Sequence, residues 1–180
     1  MPVLVTPRLL LLPLTRTMLE MRLRHESFTL TCPTPDGALD VAFCAQWPGD
    51  PLPMFPGKLA RLGPQDQTVS GSFVTVTRQT PAAVGQLGVK GPPDGAGVQE
   101  IGYGFLPEVW GQGYATEAVA ALAEFLLAQS GIKALSAQTA VTNAASARVL
   151  EKTGFVQTGT DWDEEDGHLL VWARQPGTTV

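Results

Sequence analysis

The stretch FLPEVWGQGYATEAVAALAEFLLAQ, residues 105–129, places two glycines one residue apart at the start of a helical pattern. Apolar residues recur at helical spacing over 114–130, and Gly131 is a stop signal. The first N–H groups of a helix have no internal acceptor, and the peptide dipoles add about half a positive charge there. Because Gly111 and Gly113 have no side chain that could block an anion, the segment predicts a diphosphate held by backbone amides. The amides expected to take part are those of Gln112, Gly113, Tyr114, Ala115 and Thr116.

Two other phosphate-binding motifs fit this segment poorly. The nucleotide P-loop requires Gly-Lys-Ser/Thr after a longer spacer, and that sequence is absent. The dinucleotide-binding fingerprint requires a third glycine where Thr116 stands. A tight strand-to-helix turn without any ligand remains the alternative for this segment taken alone.

Three strand-like runs precede the two glycines. Residues 68–79 alternate along the chain and are rich in β-branched side chains, and the runs 82–91 and 99–106 follow after close turn signals. This spacing predicts an antiparallel meander that leads directly into the glycine segment.

The rest of the chain alternates strands with helices. Residue types before the outer helices predict N-caps at Thr15 or Thr17 and at Asn143. We therefore predict an α+β (mixed α/β) fold class, in one domain over 1–180, with a largely antiparallel sheet flanked by helices. The further elements expected are a strand at 8–15, a helix at 15–25, a strand at 132–141, a helix at 143–155 and a terminal hairpin.

The composition excludes several classes of partner. A formal net charge of −5 over 180 residues gives no general attraction to nucleic acid or to an anionic membrane. The apolar run near the N terminus is interrupted by Arg8 and ended by Pro13, short of the about 18 residues that a membrane span requires. Cys32 and Cys44 match no metal or redox spacing and are expected as free thiols, with a disulfide between them as the alternative. A soluble cytoplasmic protein is therefore expected.

Residues 31–67 are rich in proline and glycine. Each proline removes a hydrogen-bond donor and restricts the residue before it, so long regular elements are not expected here. A loop of this length inside a compact domain is usually functional, and a surface insertion that only packs is the alternative.

Two separated motifs carry a resemblance to a known family. The run EIGYGFLPEVWGQGYATEAV at 100–119 is followed by NAASARVLEKTGF at 143–155. In this order they resemble the GCN5-related N-acetyltransferases (GNAT), and most of all the branch containing the ribosomal-protein alanine and serine N-acetyltransferases. The opening TPRLLLLPLT at 6–15 also resembles the first strand of that branch.

The resemblance implies acetyl-CoA as co-substrate and no metal. Its pyrophosphate would lie on residues 112–116 beside Gly111, and its pantetheine in a splay between the strands at 100–106 and 133–140. The side chain of Asn143 would reach the cofactor from the next helix. Where the family pattern usually has Gln or Arg, this chain has Trp110, which leaves open what that side chain contributes.

Acetyl transfer to an amine requires a base, a donor to the oxyanion and a group that stabilises or protonates the leaving thiolate. We predict Glu100 as the base, acting through water, with a solvated carboxylate as the alternative. A backbone N–H near Leu106, beside the bound thioester, is the candidate oxyanion donor. Many relatives have a Tyr acid at the position of Leu150; Ser146 matches a serine that the ribosomal-protein branch places near the thiolate, and a plain surface serine is the alternative.

The acceptor is expected to be a primary amine, either a peptide N-terminus or a small molecule. The similarity is weakest across 31–67, where acceptor-specific parts are expected, and Trp47 there is either an acceptor wall or a packing residue. The acidic turn at 161–166 either attracts a cationic acceptor or is a solvated hairpin tip. A homodimer is left open by analogy. A non-catalytic acyl-CoA-binding module is the alternative function, because the usual Tyr is missing and the base is uncertain.

Overall fold

A computed structural model of the protein describes residues 1–164 and 166–177. The α-helices are α1 Arg16–Arg24, α2 Phe55–Arg61, α3 Tyr114–Leu127 and α4 Ala144–Lys152. The strands are β1 Leu4–Val5, β2 Leu9–Thr15, β3 Phe28–Thr34, β4 Gly37–Phe43, β5 Thr68–Thr77, β6 Ala83–Val89, β7 Val98–Phe105, β8 Ala134–Ala140, β9 Val156–Asp163 and β10 Gly167–Arg174. The chain divides into a first unit, Met1–Gly88 with Tyr103–Tyr114, and a second unit, Val89–Gly102 with Ala115–Val180.

In the first unit the strands β1, β2, β5 and β6 are neighbours in that order and pair antiparallel. β2 has the sequence LLLLPLT, and its residues 9–12 are all buried. A strand that is buried on both faces needs such an uninterrupted apolar run. The strands predicted at 8–15, 68–79 and 82–91 are confirmed.

Helix α1 begins directly after β2. The Oγ1 atom of Thr15 accepts a hydrogen bond from Met18 N at 3.1 Å, so Thr15 and not Thr17 is the N-cap. In the last turn the Arg22 guanidinium donates to the carbonyl oxygens of Ala45 and Trp47. This arginine ties the helix to the segment that follows the β3–β4 hairpin.

Residues 31–67 contain regular structure, so the expectation of an irregular segment is wrong. β3 and β4 form an antiparallel hairpin with its own two-stranded sheet, and α2 follows. Pro33 is tolerated in β3 because each strand of a two-stranded sheet keeps one unpaired edge. Every second residue of the hairpin packs toward the core of the first unit. A count of prolines and glycines does not detect this alternation. These residues are Phe28, Leu30, Cys32, Leu39, Val41 and Phe43.

An aromatic cluster lies in the core of the first unit. The Trp47 ring is 4.8 Å from Phe43 and 5.5 Å from Phe55, centroid to centroid, and both contacts are edge-to-face. Trp47 Nε1 donates to Gly85 O at 3.4 Å, and the side chain is completely buried. Trp47 is therefore a packing residue, and the alternative that it forms a wall of the acceptor site is wrong.

In the second unit the strand order is β7, β8, β10, β9. β7 and β8 are parallel, and the other two pairs are antiparallel. The β7–β8 ladder has only three positions, from Val98–Ala134 to Glu100–Ser136. Of the described residues in this unit, Ile101 and Gly102 continue β7 without a register partner on β8, although β8 itself continues to Ala140. The two strands are thus splayed as the family resemblance predicted.

The α+β fold class with a mostly antiparallel sheet is confirmed. The helices predicted at 114–130 and 143–155 are present as α3 and α4, and the strand at 132–141 is present as β8. The terminal hairpin is formed by β9 and β10. No helix in the described part of the chain is long and apolar enough to cross a membrane.

Both cysteines are free thiols, and burial separates their reactivity. Cys32 is 2% exposed, and its burial, aided by the charge of Asp40, raises the pKa of the thiol to about 11. The thiolate is the reactive form, so iodoacetamide at pH 8 is expected to label the half-buried Cys44 and spare Cys32 until the protein is unfolded. Peptide mass spectrometry checks this result. Equal native labelling of both cysteines would contradict the assignment.

The same burial makes folding stability depend on pH. Because the pKa of the Cys32 thiol is raised on folding, the stability from this thiol is complete below its unfolded pKa and is lost as the pH rises toward 11.

Candidate functional site

The segment between β7 and α3 forms a tight loop. A 3-10 turn over Pro107–Val109 comes first, and Trp110 N donates to Pro107 O at 3.1 Å. Gly111 and Gly113 follow with φ of 73° and 79°, a conformation that side-chain-bearing residues rarely adopt. A Cβ atom on Gly111 would meet nothing within 4 Å. Glycine at 111 is therefore required by the backbone conformation and leaves open space beside the loop.

The amides that open α3 begin at Gly113. Neither Gly113 N nor Tyr114 N donates to a described residue of that unit. Ala115 and Thr116 continue the first turn of α3, where N–H groups have no acceptor within the helix. The geometry expected from the two glycines is therefore present from Gly113 to Thr116.

Gln112 is placed differently from the expectation. Its N–H donates to Val109 O at 3.4 Å, and its side-chain Nε2 donates to Glu108 O at 3.1 Å. The protein already provides acceptors for both groups. Gln112 thus shapes the loop, and the open amides begin one residue later.

One arginine that the sequence did not point to contacts the loop, although it lies near the N terminus of the chain. Arg8, directly before β2, donates from Nη1 to Gln112 O at 2.9 Å. Its guanidinium carbon lies 4.6 Å from the centroid of the Tyr114 ring. Its Nη2 atom lies 3.4 Å from the position that a Cβ on Gly113 would take. The guanidinium therefore contacts the loop on both sides of Gly113.

Two further residues of the loop are fixed by hydrogen bonds. Trp110 is 67% exposed, yet its Nε1 donates to Phe105 O at 2.8 Å. Leu106 N donates to Val84 O at 2.9 Å, and Leu106 O accepts from Val109 N at 3.1 Å. Since its backbone groups already have partners, Leu106 itself is not the oxyanion donor. The oxyanion donor predicted near Leu106 would therefore be a different backbone amide of β7.

Glu100 lies on β7 with an ion partner that the sequence analysis did not find. Its Oε1 atom is 3.1 Å from Lys90 Nζ, outside hydrogen-bond geometry, and the carboxylate side chain is one-third exposed. The neighbours Gln99 and Ile101 are buried, as strand alternation predicted. The stem of Lys90 crosses Gly102, where an added Cβ would lie 3.0 Å from Lys90 Cε. The lysine thus holds the carboxylate at the point where the β7–β8 ladder ends.

Helix α4 carries the remaining predicted residues. Asn143 is the exposed N-cap, and its Oδ1 accepts from Ser146 N at 3.0 Å. No described residue accepts a hydrogen bond from Asn143 Nδ2. Ser146 is half-buried, whereas Leu150 is completely buried. The position at which many relatives have a tyrosine acid is thus a core position in this chain.

The first unit also contains an open cavity of about 390 Å³. The β3–β4 hairpin and the start of β6 line it, with Phe28, Phe43 and Val84 among the apolar residues and Glu108 as its one carboxylate. The acidic turn at 161–166 includes Glu165, which lies outside the described residues. Across 1–164 and 166–177, no group of three or more His, Cys, Asp or Glu side chains is arranged to hold a metal ion.

The match of a protein-family model shows to which family the chain belongs. The model of the acetyltransferase (GNAT) domain matches residues 39–156, which is more than half of the 180 residues. This chain is a member of the GNAT family. The match includes the glycine loop, α3, β8 and α4, so the family resemblance of the two sequence motifs is confirmed.

Known GNAT proteins resemble the chain at different levels. The uncharacterised N-acetyltransferase YoaA of Bacillus subtilis (strain 168) is 30% identical over 101 residues, which is 56% of this chain and 52% of YoaA. The chain thus spans about half the length of this curated relative. An acetyltransferase of the GNAT family from Bacillus anthracis superposes with a TM-score of 0.65 at 17% identity, over 96% of this chain and 98% of that one. Mycobacterium smegmatis RimJ, solved with CoA-disulfide, gives a TM-score of 0.51 at 24% identity, over 59% of this chain and 54% of RimJ. At these identities the two structures show a shared fold.

Proposed function

We propose that this GNAT chain is an acetyl-CoA-dependent N-acetyltransferase that transfers the acetyl group to a primary amine by direct attack. One observation carries the proposal: two glycines with positive φ precede α3 and add no side chain of their own beside its first N–H groups. Such a helix start attracts a diphosphate through its amides and its dipole. The complex of RimJ with CoA-disulfide supports the same assignment by its shared fold.

The residues of the loop fit the diphosphate of coenzyme A. The amides of Gly113, Tyr114, Ala115 and Thr116 would hold it, since no side chain of Gly111 or Gly113 obstructs the approach. Gln112 would contribute by keeping the loop in shape, because its own N–H is already bonded to Val109 O. When bound, acetyl-CoA supplies an activated acetyl group as a thioester.

The end of the β7–β8 ladder supports the path of the pantetheine arm. Glu100 O accepts from Lys90 N on the β6 side of β7. Consecutive residues of a strand direct their backbone groups to opposite neighbours, so Gln99 and Ile101 face the β8 side and form the last rung of the ladder, Glu100–Ser136. Beyond that rung the pairing of β7 with β8 does not continue within the second unit. We assign the thioester carbonyl to a backbone amide of β7 beyond this rung, in place of Leu106, and the strand edge there to the amides of pantetheine.

Two side chains are proposed to move protons. The acceptor ammonium loses a proton, its nitrogen then bonds to the acetyl carbon, and the C–S bond breaks with the electron pair leaving on sulfur. The nitrogen gives up its second proton as the amide forms, and the sulfur takes up one proton to become the thiol of CoA. We assign Glu100 as the base that receives the first proton, by way of a water molecule. The Glu100 side chain is one-third exposed, so water can reach the carboxylate, while Lys90 holds its Oε1 atom in place. Ser146, on the first turn of α4, is assigned to the leaving thiolate, because Leu150 has no proton to give.

Asn143 is proposed to cap α4 through Oδ1 and to contact coenzyme A through Nδ2. Asn143→Ser keeps a capping oxygen but removes Nδ2, whereas Asn143→Ala removes both groups. We expect the Ser variant to keep its melting temperature and to bind CoA about tenfold more weakly. The Ala variant is expected to lose a further ~1 kcal/mol of folding stability. Thermal denaturation and titration calorimetry with CoA measure the two effects separately. Unchanged CoA affinity in both variants would leave Asn143 as a helix cap alone.

The acceptor is proposed to be a peptide N-terminus or a small-molecule amine. We keep the segment 31–67 as the acceptor side, supported by the cavity that the β3–β4 hairpin helps to line and by its carboxylate, Glu108. Membership of the branch of ribosomal-protein alanine and serine N-acetyltransferases is also our proposal. It is supported by the opening TPRLLLLPLT and by Ser146.

The test is turnover of acetyl-CoA against a panel of amines. We expect release of free CoA thiol that depends on the added amine, with an acetylated product 42 Da heavier than the amine by mass spectrometry, about the mass that one acetyl group adds. The panel includes peptides with free N-termini, polyamines and neutral primary amines, so that it also examines the preference for cationic acceptors. Tight binding of CoA with no turnover of any amine would favour a non-catalytic acyl-CoA-binding module. Tighter binding of NAD(P)H than of CoA would refute the assignment of the loop.

A further inference from the structure

We propose that Arg8 is the positioning residue of the diphosphate loop and that it sets the direction in which the Gly113 N–H points. The inference rests on the proposed function, because it concerns how that loop is prepared for coenzyme A. Arg8 stands 104 residues before Gln112 in the chain, yet its Nη1 donates to the Gln112 carbonyl at 2.9 Å. Its guanidinium also lies 4.6 Å from the centroid of the Tyr114 ring, so it contacts the residues on both sides of Gly113.

The peptide plane explains why the contact with Gln112 matters. The carbonyl of Gln112 and the N–H of Gly113 belong to one planar peptide group, and in a trans peptide they point in opposite directions. When Arg8 holds the Gln112 oxygen on its own side, the Gly113 N–H is fixed on the other side. The guanidinium thus orients the first open amide through the peptide group that joins Gln112 to Gly113.

The contact with Tyr114 fixes the next residue. The guanidinium carbon lies 4.6 Å from the ring centroid, within the range of a cation–π contact. One planar group thereby holds both neighbours of Gly113, whose missing side chain leaves room for Nη2 at 3.4 Å. A lysine has neither the planar fork nor the stacking face that these two contacts use together.

The loop needs such a brace because of its two glycines. Gly111 and Gly113 have wide conformational freedom, so a loop built on them loses much entropy when it becomes ordered. If Arg8 orders the loop before the ligand arrives, binding does not have to supply that ordering. Arg8 is therefore expected to affect the binding of diphosphate-containing ligands and to leave the chemistry of the thioester unchanged.

The test compares Arg8→Ala and Arg8→Lys with the wild type on three substrates and one ligand. Acetyl-CoA and acetyl-dephospho-CoA both contain the diphosphate, whereas acetyl-pantetheine contains no phosphate. We expect the Ala variant to raise KM about 10- to 100-fold for the first two and to leave kcat unchanged, with kcat/KM for acetyl-pantetheine as in the wild type. We expect the Lys variant to reverse less than half of the increase in log KM that the Ala variant shows. Calorimetry with CoA is expected to show the same loss of affinity in the absence of turnover.

Arg78→Ala is the matched control. Arg78 is also an exposed arginine that donates to backbone oxygens of the first unit, to Thr6 O at 3.0 Å and Pro7 O at 3.4 Å, but its contacts do not include residues 112–114. We expect its CoA affinity to equal that of the wild type. Equal losses in the Arg8 and Arg78 variants, an equal loss on acetyl-pantetheine, or full rescue by lysine would overturn the inference. A wild-type protein that does not bind CoA would overturn the proposed function together with it.

Discussion

Replacing Gly113 by glutamate is expected to weaken the binding of coenzyme A by at least about 100-fold, because a like charge placed against a bound anion costs several kcal/mol. In the structure a side chain at 113 starts 3.4 Å from Arg8 Nη2, directly beside the amides assigned to the diphosphate. The new carboxylate would compete for the position of that diphosphate. Titration calorimetry with CoA and the KM for acetyl-CoA measure the effect.

The control for this variant has to separate charge from backbone strain. Gly113 has a φ of 79°, so any side chain there also costs about 1–2 kcal/mol of folding stability. Gly91 has nearly the same φ, 77°, and an added Cβ would meet nothing within 4 Å. Gly91→Glu is therefore expected to lower the melting temperature by a similar amount and to keep wild-type CoA affinity. If both variants bind CoA equally well, the diphosphate is not held by the loop at 113.

The elements around the site follow from local sequence signals. The alternation in 68–106 gives β5, β6 and β7, and the apolar period after Gly113 gives α3. Asn143 marks the start of α4 because its short side chain reaches the amide three residues later. Each of these signals lies within a few residues of the element that it specifies, so the element can be predicted from the sequence alone.

The β3–β4 hairpin was missed although it also has a local signal. An Asp36-Gly37 pair stands between two runs in which every second residue is apolar, a pattern typical of a hairpin. The six prolines and glycines over 46–57 favour loop character instead. The period of the pattern is the better predictor here, because the residues that pack against the core decide which backbone conformation is stable.

The partners of the candidate site residues were beyond local reasoning. Arg8 meets Gln112 across 104 residues of chain, and nothing in TPRLLL specifies that contact. The pairing of Lys90 with Glu100 depends on the strand register around the turn between β6 and β7. The backbone bond that occupies the Leu106 amide likewise depends on which residue lies opposite it. Such contacts require the tertiary arrangement, whereas the residue types of the site could be proposed from the motifs alone.

Replacing Glu100 by glutamine is expected to lower kcat by about 100- to 10,000-fold with little change in the KM for acetyl-CoA, as expected for loss of a general base. Glutamine has nearly the same size and can stay beside Lys90, but it cannot accept the proton of the acceptor amine. The variant has no carboxylate that could take the proton, so the loss is expected at every pH at which the wild type turns over. Steady-state kinetics over a range of pH, with one amine that the wild type acetylates, measures both effects.

Three variants make this result specific. Glu124→Gln makes the same substitution in another ion-paired glutamate of the second unit, whose partner is Arg174, and it is expected to keep wild-type kcat. Lys90→Met keeps the Glu100 carboxylate and removes only its ion partner, so we expect a change of no more than about fivefold, the size of an exposed ion-pair effect. Ser146→Ala, which affects the leaving thiolate, is expected to reduce kcat for acetyl-CoA while the acidic side of the pH profile stays as in the wild type. Wild-type turnover by Glu100→Gln at every pH would show that the amine loses its proton to another group, and an equal loss in Lys90→Met would assign the effect to the ion pair itself.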